Sequence, residues 1–226
     1  MLSRRQVLVA AAAVLAGRAP ARAAPPGIVE DWTAAPLGHH GVPPGWRPYE
    51  TPGGRPRYDF TVVEDAGRRA LRMRSESEHS TIAHELKVEL AATPLLTWSW
   101  KIVAFPAGAD LRERETSDAT GHLVVIWPRF PEMLRSRLLC YVWEPRAPAD
   151  AVFTSKKTGT VTFIVLRSGT AGAGAWVEER RDVAADYRRV YGGDPPNPAA
   201  LALSIDTNDT RSSAESLFGP IAFQPR

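Results

Sequence analysis

The chain has 226 residues, with 28 Lys and Arg, 25 Asp and Glu, and one cysteine, which excludes an internal disulfide. Four of the 28 basic residues lie among the first 23, which contain no acid, so the rest carries 24 basic and 25 acidic residues, a net charge of −1. Without a positive field over the rest of the chain, the composition excludes nucleic acid as a partner.

The amino terminus has the pattern of an export signal. Arg4 and Arg5 precede the apolar run 7–16, and Ala21-Arg22-Ala23 is a small-x-small cleavage pattern. This order predicts a twin-arginine signal peptide over 1–23, a single domain over 24–226, and a periplasmic or secreted location. The general secretory route is the alternative, because Val7 stands where Phe is common. The run is shorter than the roughly 20 apolar residues that span a bilayer, so we expect no transmembrane segment after cleavage.

Strand patterns dominate the rest of the chain. Apolar and polar residues alternate in short runs bounded by Gly/Pro-rich turns, which predicts about ten strands and a sandwich or barrel. The run 121–127 is almost wholly apolar, which indicates a central strand covered on both faces. The predicted strands are 57–63, 70–74, 81–86, 95–105, 121–127, 138–143, 160–166, 175–180, 201–205 and 216–223.

Few segments have a helical pattern. Asp182 is a candidate N-cap for a helix over 183–191 that ends at Gly192, and a shorter turn is expected over 131–136. The stretch 37–56 holds five prolines and five glycines, which predicts an irregular surface loop. Cys140 lies in an apolar strand, so we expect a buried and inert thiol.

Several segments, in the same order, resemble a bacterial family of exported proteins known as domain of unknown function 3047. The resemblance implies a jelly-roll-like β-sandwich and implies no activity. This chain differs in being short between Trp127 and Cys140, where relatives carry a longer helical insertion. The similar segments are Gly45-Trp46-Arg47-Pro48, Leu96-Thr97-Trp98-Ser99-Trp100-Lys101, Tyr141-Val142-Trp143, Trp176-Val177-Glu178-Glu179-Arg180, Asp186-Tyr187 and Ile205-Asp206-Thr207-Asn208-Asp209-Thr210.

The acidic turn that follows strand 201–205 is a candidate Ca²⁺ site. Asp206, Asn208 and Asp209 place several oxygen ligands close together, and Glu215 could add another. Arg211 stands where a helical calcium loop needs glycine. The alternative is an Asx turn, in which Asp206 and Asn208 bond their own backbone.

Four tryptophans are candidates for stacking on a sugar ring. Trp98 and Trp100 share one face of a strand, but Leu96 and Ile102 flank them there, which favours a core position. Trp46, in the proline-rich loop, and Trp143 are expected to be more exposed.

Catalytic motifs of high specificity are absent from the sequence. Carboxylate pairs such as Glu76 with Glu78 invite a hydrolase hypothesis, but no pattern sets one pair at the spacing that glycoside hydrolysis needs. His122 begins the apolar strand, four residues after Asp118. The sequence therefore predicts a monomeric, non-catalytic β-sandwich that binds a carbohydrate or other envelope ligand; the alternative is a carbohydrate-active hydrolase using two carboxylates.

Overall fold

A computed structural model describes residues 27–49 and 56–226. The predicted signal peptide lies outside the described residues, as do residues 50–55 of the predicted loop. In the described part, thirteen strands form two sheets that pack face to face. The predicted class, an all-β jelly-roll-like sandwich, is confirmed.

The first sheet has six strands. Its strands are β1 (Gly27–Glu30), β3 (Asp59–Asp65), β4 (Arg68–Glu76), β6 (Leu95–Ala104), β11 (Val177–Asp182) and β13 (Ser213–Gln224). Their order is β11-β6-β13-β4-β3, and β1 also pairs with β13.

The second sheet has seven strands, which are β2 (Arg47–Pro48), β5 (His79–Glu85), β7 (Ala119–Trp127), β8 (Arg137–Glu144), β9 (Val152–Thr154), β10 (Val161–Ser168) and β12 (Ala200–Asp206). Their order is β2-β5-β12-β7-β8-β10-β9. All neighbouring strands are antiparallel except β8 and β10, which run parallel.

Each of the ten predicted strands is present, with bounds that shift by up to three residues. The three additional strands are β1, β2 and β9, which contain only two to four residues. Such segments are too short for an alternating pattern to stand out, and they form because a longer neighbour offers unpaired backbone groups.

The helices are two short α-helices and one 3₁₀ turn (Arg114–Thr116) within the described ranges. The first, α1 (Glu132–Arg135), falls in the predicted turn. The second, α2 (Val183–Tyr191), is capped by Asp182, whose side chain accepts a hydrogen bond from the Ala185 N–H at 2.9 Å, as the cap prediction requires. No helix in the described part of the chain combines the length and apolar character needed to cross a membrane.

The main core fills the space between the sheets. Leu96, Trp98, Trp100 and Ile102 point into it from β6, which confirms the core interpretation of that strand. Tyr141 on β8 meets Trp98 at a ring-centroid distance of 5.5 Å, so aromatic contacts join the two sheets.

A second apolar cluster lies on the outer face of the seven-stranded sheet. On β7, Leu123 and Val125 belong to the main core, whereas Val124 and Ile126 belong to this second cluster. The loop residues Leu111 and Ala147 are also part of it, so loops lie over this face. The prediction that 121–127 is a central strand covered on both faces is therefore confirmed, and Cys140 is buried on the same outer face.

Candidate functional site: a polar cluster on the outer face of the seven-stranded sheet

The four predicted ligand-binding tryptophans are all buried. Trp46, Trp98, Trp100 and Trp143 have exposed fractions of 7%, 1%, 0% and 3%. The expectation that Trp46 and Trp143 are exposed is wrong, because each finds partners inside the fold. None of the four presents an open ring face on which a sugar could stack.

The partners of Trp46 and Trp143 explain their burial. Trp46 stacks on Trp32 with ring centroids 5.6 Å apart, and its indole N–H donates to Glu30 at 2.6 Å. Trp143 donates to the Gly169 carbonyl at 2.8 Å. A buried indole needs only one acceptor, so these bonds allow both rings to leave water.

The four predicted Ca²⁺ ligands do not come together. Glu215 lies on β13 of the other sheet and accepts a hydrogen bond from Arg74 at 2.9 Å, while Asp209 forms an ion pair with Lys157. Asp206 accepts a hydrogen bond from the Asn208 N–H at 3.2 Å, as the alternative Asx turn requires. In residues 27–49 and 56–226, no group of three or more His, Cys, Asp or Glu side chains is arranged to hold a metal ion.

Polar side chains from three neighbouring strands instead meet at one end of the outer face. In the register, Ser204 on β12 pairs with Thr81 on one side and His122 on the other. Asp206 pairs with His79 two residues further along. Because side chains alternate between faces, these five residues share the face that carries Ala202 and Val124. We call them the outer-face polar cluster.

Hydrogen bonds tie the cluster together. The His79 Nε2 atom lies 2.7 Å from the Thr81 hydroxyl and 3.1 Å from the Ser204 hydroxyl. The two hydroxyl oxygens are 2.6 Å apart. An imidazole and two hydroxyls can each donate or accept, so the network can reorient its protons around an incoming group.

The loop beside the cluster is anchored by Asp118. Its carboxylate accepts hydrogen bonds from the backbone N–H groups of Asp209 and Thr210, at 3.1 and 2.7 Å, and from the Thr210 hydroxyl at 2.5 Å. The ion pair between Lys157 and Asp209 links the same loop to the segment that precedes β10. Three chain segments beside the cluster are thus held together by charge-assisted bonds.

Burial changes the charge state of the cluster. It raises the pKa of Asp206 to about 7, and the neighbouring Asp118 carboxylate adds to the rise. Burial also lowers the pKa of His122 to about 3, with a further contribution from His79. The pKa of His79 is lowered by burial and by Lys157. Near pH 7 both imidazoles are therefore neutral, and Asp206 exchanges between its acid and its carboxylate.

Part of the cluster is open to solvent. The side chains of His79, His122 and Asp206 are half-buried, whereas Thr81 and Ser204 are buried behind them. The His122 Nδ1 atom is itself buried and has no hydrogen-bond partner among the described residues. A ligand at this end of the sheet would meet two imidazoles and one carboxyl group first, and the hydroxyls next.

Sequence reasoning did not identify this cluster, although it noted Asp118, His122 and Asp206 separately. The sequence does show that His79 and Thr81 lie on one face of their strand, and that Ser204 and Asp206 lie on one face of theirs, because side chains alternate along a strand. Nothing in the sequence says that β12 lies between β5 and β7. That order brings the three segments together.

This outer face belongs to a two-sheet β-sandwich. The family model described as "Protein of unknown function (DUF3047)" matches residues 44–222, so the chain belongs to this family. No curated protein matches the chain.

Several solved structures share the sandwich architecture. The family 11 carbohydrate-binding module of the cellulase Lic26A-Cel5E of Clostridium thermocellum is 9% identical, with a TM-score of 0.46, and 91% of this chain and 97% of the module are covered. The xyloglucanase domain of NopAA, a type three effector from Sinorhizobium fredii, is 11% identical, with a TM-score of 0.43 and coverage of 86% and 100%. The CBM22-1 xylan-binding domain from Paenibacillus barcinonensis Xyn10C is 14% identical, with a TM-score of 0.36 and coverage of 85% and 97%. Similarity at this level does not specify a ligand.

Proposed function

We propose that this protein is an exported, monomeric, non-catalytic binding protein whose ligand is rich in hydroxyl groups, with glycans as the foremost class. The observation that carries the proposal is the outer-face polar cluster, where His79, Thr81 and Ser204 form a hydrogen-bonded network beside Asp206. The cluster lies on an otherwise apolar sheet face and is partly open to solvent.

The chemistry of the cluster favours hydroxyl groups over charged ligands. Neutral imidazoles and hydroxyls both donate and accept hydrogen bonds, as sugar hydroxyls do. Asp206, with its pKa near 7, can accept as a carboxylate or donate as an acid. Lys157, the cation whose charge acts on Asp206, is already paired with Asp209, so the described residues offer the cluster no free positive charge for a phosphate or carboxylate ligand.

The export part of the proposal rests on the amino-terminal sequence alone. Arg4 and Arg5 before the apolar run 7–16, and Ala21-Arg22-Ala23 after it, support cleavage and a periplasmic or secreted location. Replacement of both arginines by lysine tests the route. Loss of export supports the twin-arginine pathway, and unchanged export assigns the protein to the general secretory pathway.

Calorimetric titration with a panel of neutral glycans tests the binding function. We expect Ser204→Ala and His79→Gln to weaken binding about tenfold or more, since each removes hydrogen bonds from the network. Thr97→Ala is the matched control, because Thr97 lies on β6 of the other sheet and bonds only the Ala222 carbonyl, at 3.3 Å. Absence of glycan binding, or equal affinities for all three variants, would overturn the proposal.

A hydrolase remains the second candidate because Asp206 has the raised pKa of a general acid and has Asp118 as a charged neighbour. Asp118 is poorly suited to the role of a base or nucleophile, since both of its oxygens already accept bonds from the 209–210 turn. Turnover of any glycan by the wild type, abolished in Asp206→Asn, would favour the hydrolase over the binding protein.

A further inference from the structure

The loop between β7 and β8 carries the two most exposed large apolar side chains of the described residues. Phe130 is 87% exposed and Leu134 is 79% exposed. Two large apolar side chains exposed four residues apart on one short loop form a candidate contact site for a partner. The 128–136 loop and the polar cluster lie at opposite ends of β7. His122 of the cluster lies near the start of this strand, and the loop follows its last residue, Trp127.

The loop is ordered by its own hydrogen bonds. The backbone N–H groups of Leu134 and Arg135 donate to the Pro131 carbonyl at 3.1 and 3.0 Å, and the Ser136 N–H donates to the Glu132 carbonyl at 3.2 Å. The Ser136 hydroxyl in turn accepts from the Arg129 N–H at 3.2 Å, which closes the base of the loop. Phe130 and Leu134 are therefore presented by a formed turn, which lowers the entropy lost when they are buried by a partner.

Positive charge surrounds the two apolar side chains. Arg129 and Arg135 are exposed on either side of them, with Glu132 as the one acid of the loop. Tyr49, which follows the edge strand β2, lies near Glu132 of this loop: burial raises the pKa of its phenol, the Glu132 charge adds to the rise, and Arg47 opposes it. Tyr49 is itself 37% exposed, so an aromatic ring with a polar tip lies near the same loop.

We infer that the 128–136 loop is a membrane-contact element, which inserts Phe130 and Leu134 into the headgroup region of an anionic bilayer while Arg129 and Arg135 contact lipid phosphates. Two apolar side chains flanked by arginines suit an interface that is apolar inside and negatively charged outside. A stable protein partner needs about 800 Å² on each side, far more than two side chains on one short loop present. Binding of this size is weak and reversible, so the loop would hold the protein near a membrane without anchoring it.

An environment-sensitive fluorophore (NBD) on Leu134→Cys tests the inference in the full chain. The native Cys140 is buried and its thiol pKa is raised by burial, so the added cysteine is labelled selectively. The probe reports its own surroundings, so a bilayer contact made by another part of the chain does not produce the signal. Leu37→Cys is the matched control, since Leu37 is 50% exposed in a different loop.

With phosphatidylglycerol vesicles at low salt, we expect a blue-shifted, brighter emission at position 134 and no change at position 37. Vesicles of phosphatidylcholine should bind about tenfold more weakly, as should Arg129→Gln/Arg135→Gln with anionic vesicles. An unchanged emission at 134, or equal changes at 134 and 37, overturns the inference. A shift without vesicles that grows with protein concentration also overturns it and assigns the loop to self-association.

Discussion

Asp206 lies directly opposite His79 across the antiparallel strands β12 and β5, on the outer face of the seven-stranded sheet. The pair joins a carboxyl group whose pKa is raised to about 7 to an imidazole whose pKa is lowered. Both shifts have burial as their largest cause, and both favour the uncharged form. The pair is thus a site where the fold suppresses charge, which agrees with a ligand that is itself uncharged.

Asp206 should make the protein less stable as the pH rises from about 4 to about 7. In this window the folded state keeps a proton that the unfolded state has released, so the free energy of unfolding falls with pH. Asp206→Asn removes this dependence. The variant's free energy of unfolding, relative to that of the wild type, should therefore be roughly 1–3 kcal/mol more favourable to the folded state at pH 8 than at pH 4. Urea unfolding at both pH values measures the difference. Asp59→Asn, at an exposed carboxylate, serves as the control, and an equal effect in the two variants would contradict the prediction.

His122 should have the opposite effect in an overlapping window. Its folded pKa of about 3 means that the unfolded state takes up a proton first, so stability is lost as the pH falls from about 6.5 towards 3. His122→Phe, beside Phe163 at a ring-centroid distance of 6.4 Å, should lower the midpoint pH of acid unfolding. Circular dichroism during acid titration provides the measurement. His40→Gln, at an exposed histidine, should leave the midpoint unchanged, and the same midpoint in His122→Phe would refute the assignment.

Asp118→Asn should destabilise the protein by about 2–3 kcal/mol, because an amide replaces a carboxylate that accepts three hydrogen bonds from the 209–210 turn. Amide hydrogen exchange should rise locally at Asp209 and Thr210. The control is Asp194→Asn, which alters an exposed ion-pair partner of Arg188. It should change neither the stability nor the exchange at the two amides. Unchanged exchange at the two amides would show that Asp118 does not hold the turn.

Gly121→Ala should destabilise the protein by about 1–3 kcal/mol through overpacking where the two sheets approach closely. An added Cβ would collide with the Ser216 hydroxyl of β13 and lie 3.1 Å from the Phe218 ring. Adding Ser216→Gly removes the hydroxyl and should recover part of the loss in a thermal melt. If the stability losses of the two single variants add in the double variant, the side chains at positions 121 and 216 do not compete for the same volume, and the prediction is contradicted.

Strand positions followed from the sequence wherever a strand is long enough to show alternation or an apolar run. β6 is an example, since Leu96, Trp98 and Trp100 share its buried face in both the pattern and the structure. The edge strands β2 and β9 could not be found in this way, because two or three residues carry no period. Their pairing is decided by the neighbour that offers a free edge.

The tryptophans show the limit of reading exposure from local context. Trp46 sits among prolines and glycines, a setting that favours a surface loop, yet its ring stacks on Trp32 and its N–H reaches the buried Glu30. Both partners are more than ten residues away along the chain. Burial of a ring depends on such distant partners, and short-range patterns do not contain them.

By itself, the sequence determined the export signal hypothesis, the all-β class, most strands and the aromatic core, because each depends on residues that are neighbours in the chain. The tertiary structure alone decided the candidate site. His79, His122 and Asp206 are separated by dozens of residues, and they meet because β12 pairs with β5 on one side and β7 on the other. Alternation sets the face on which each side chain lies, but the order of strands in a sheet is a property of the whole folded chain.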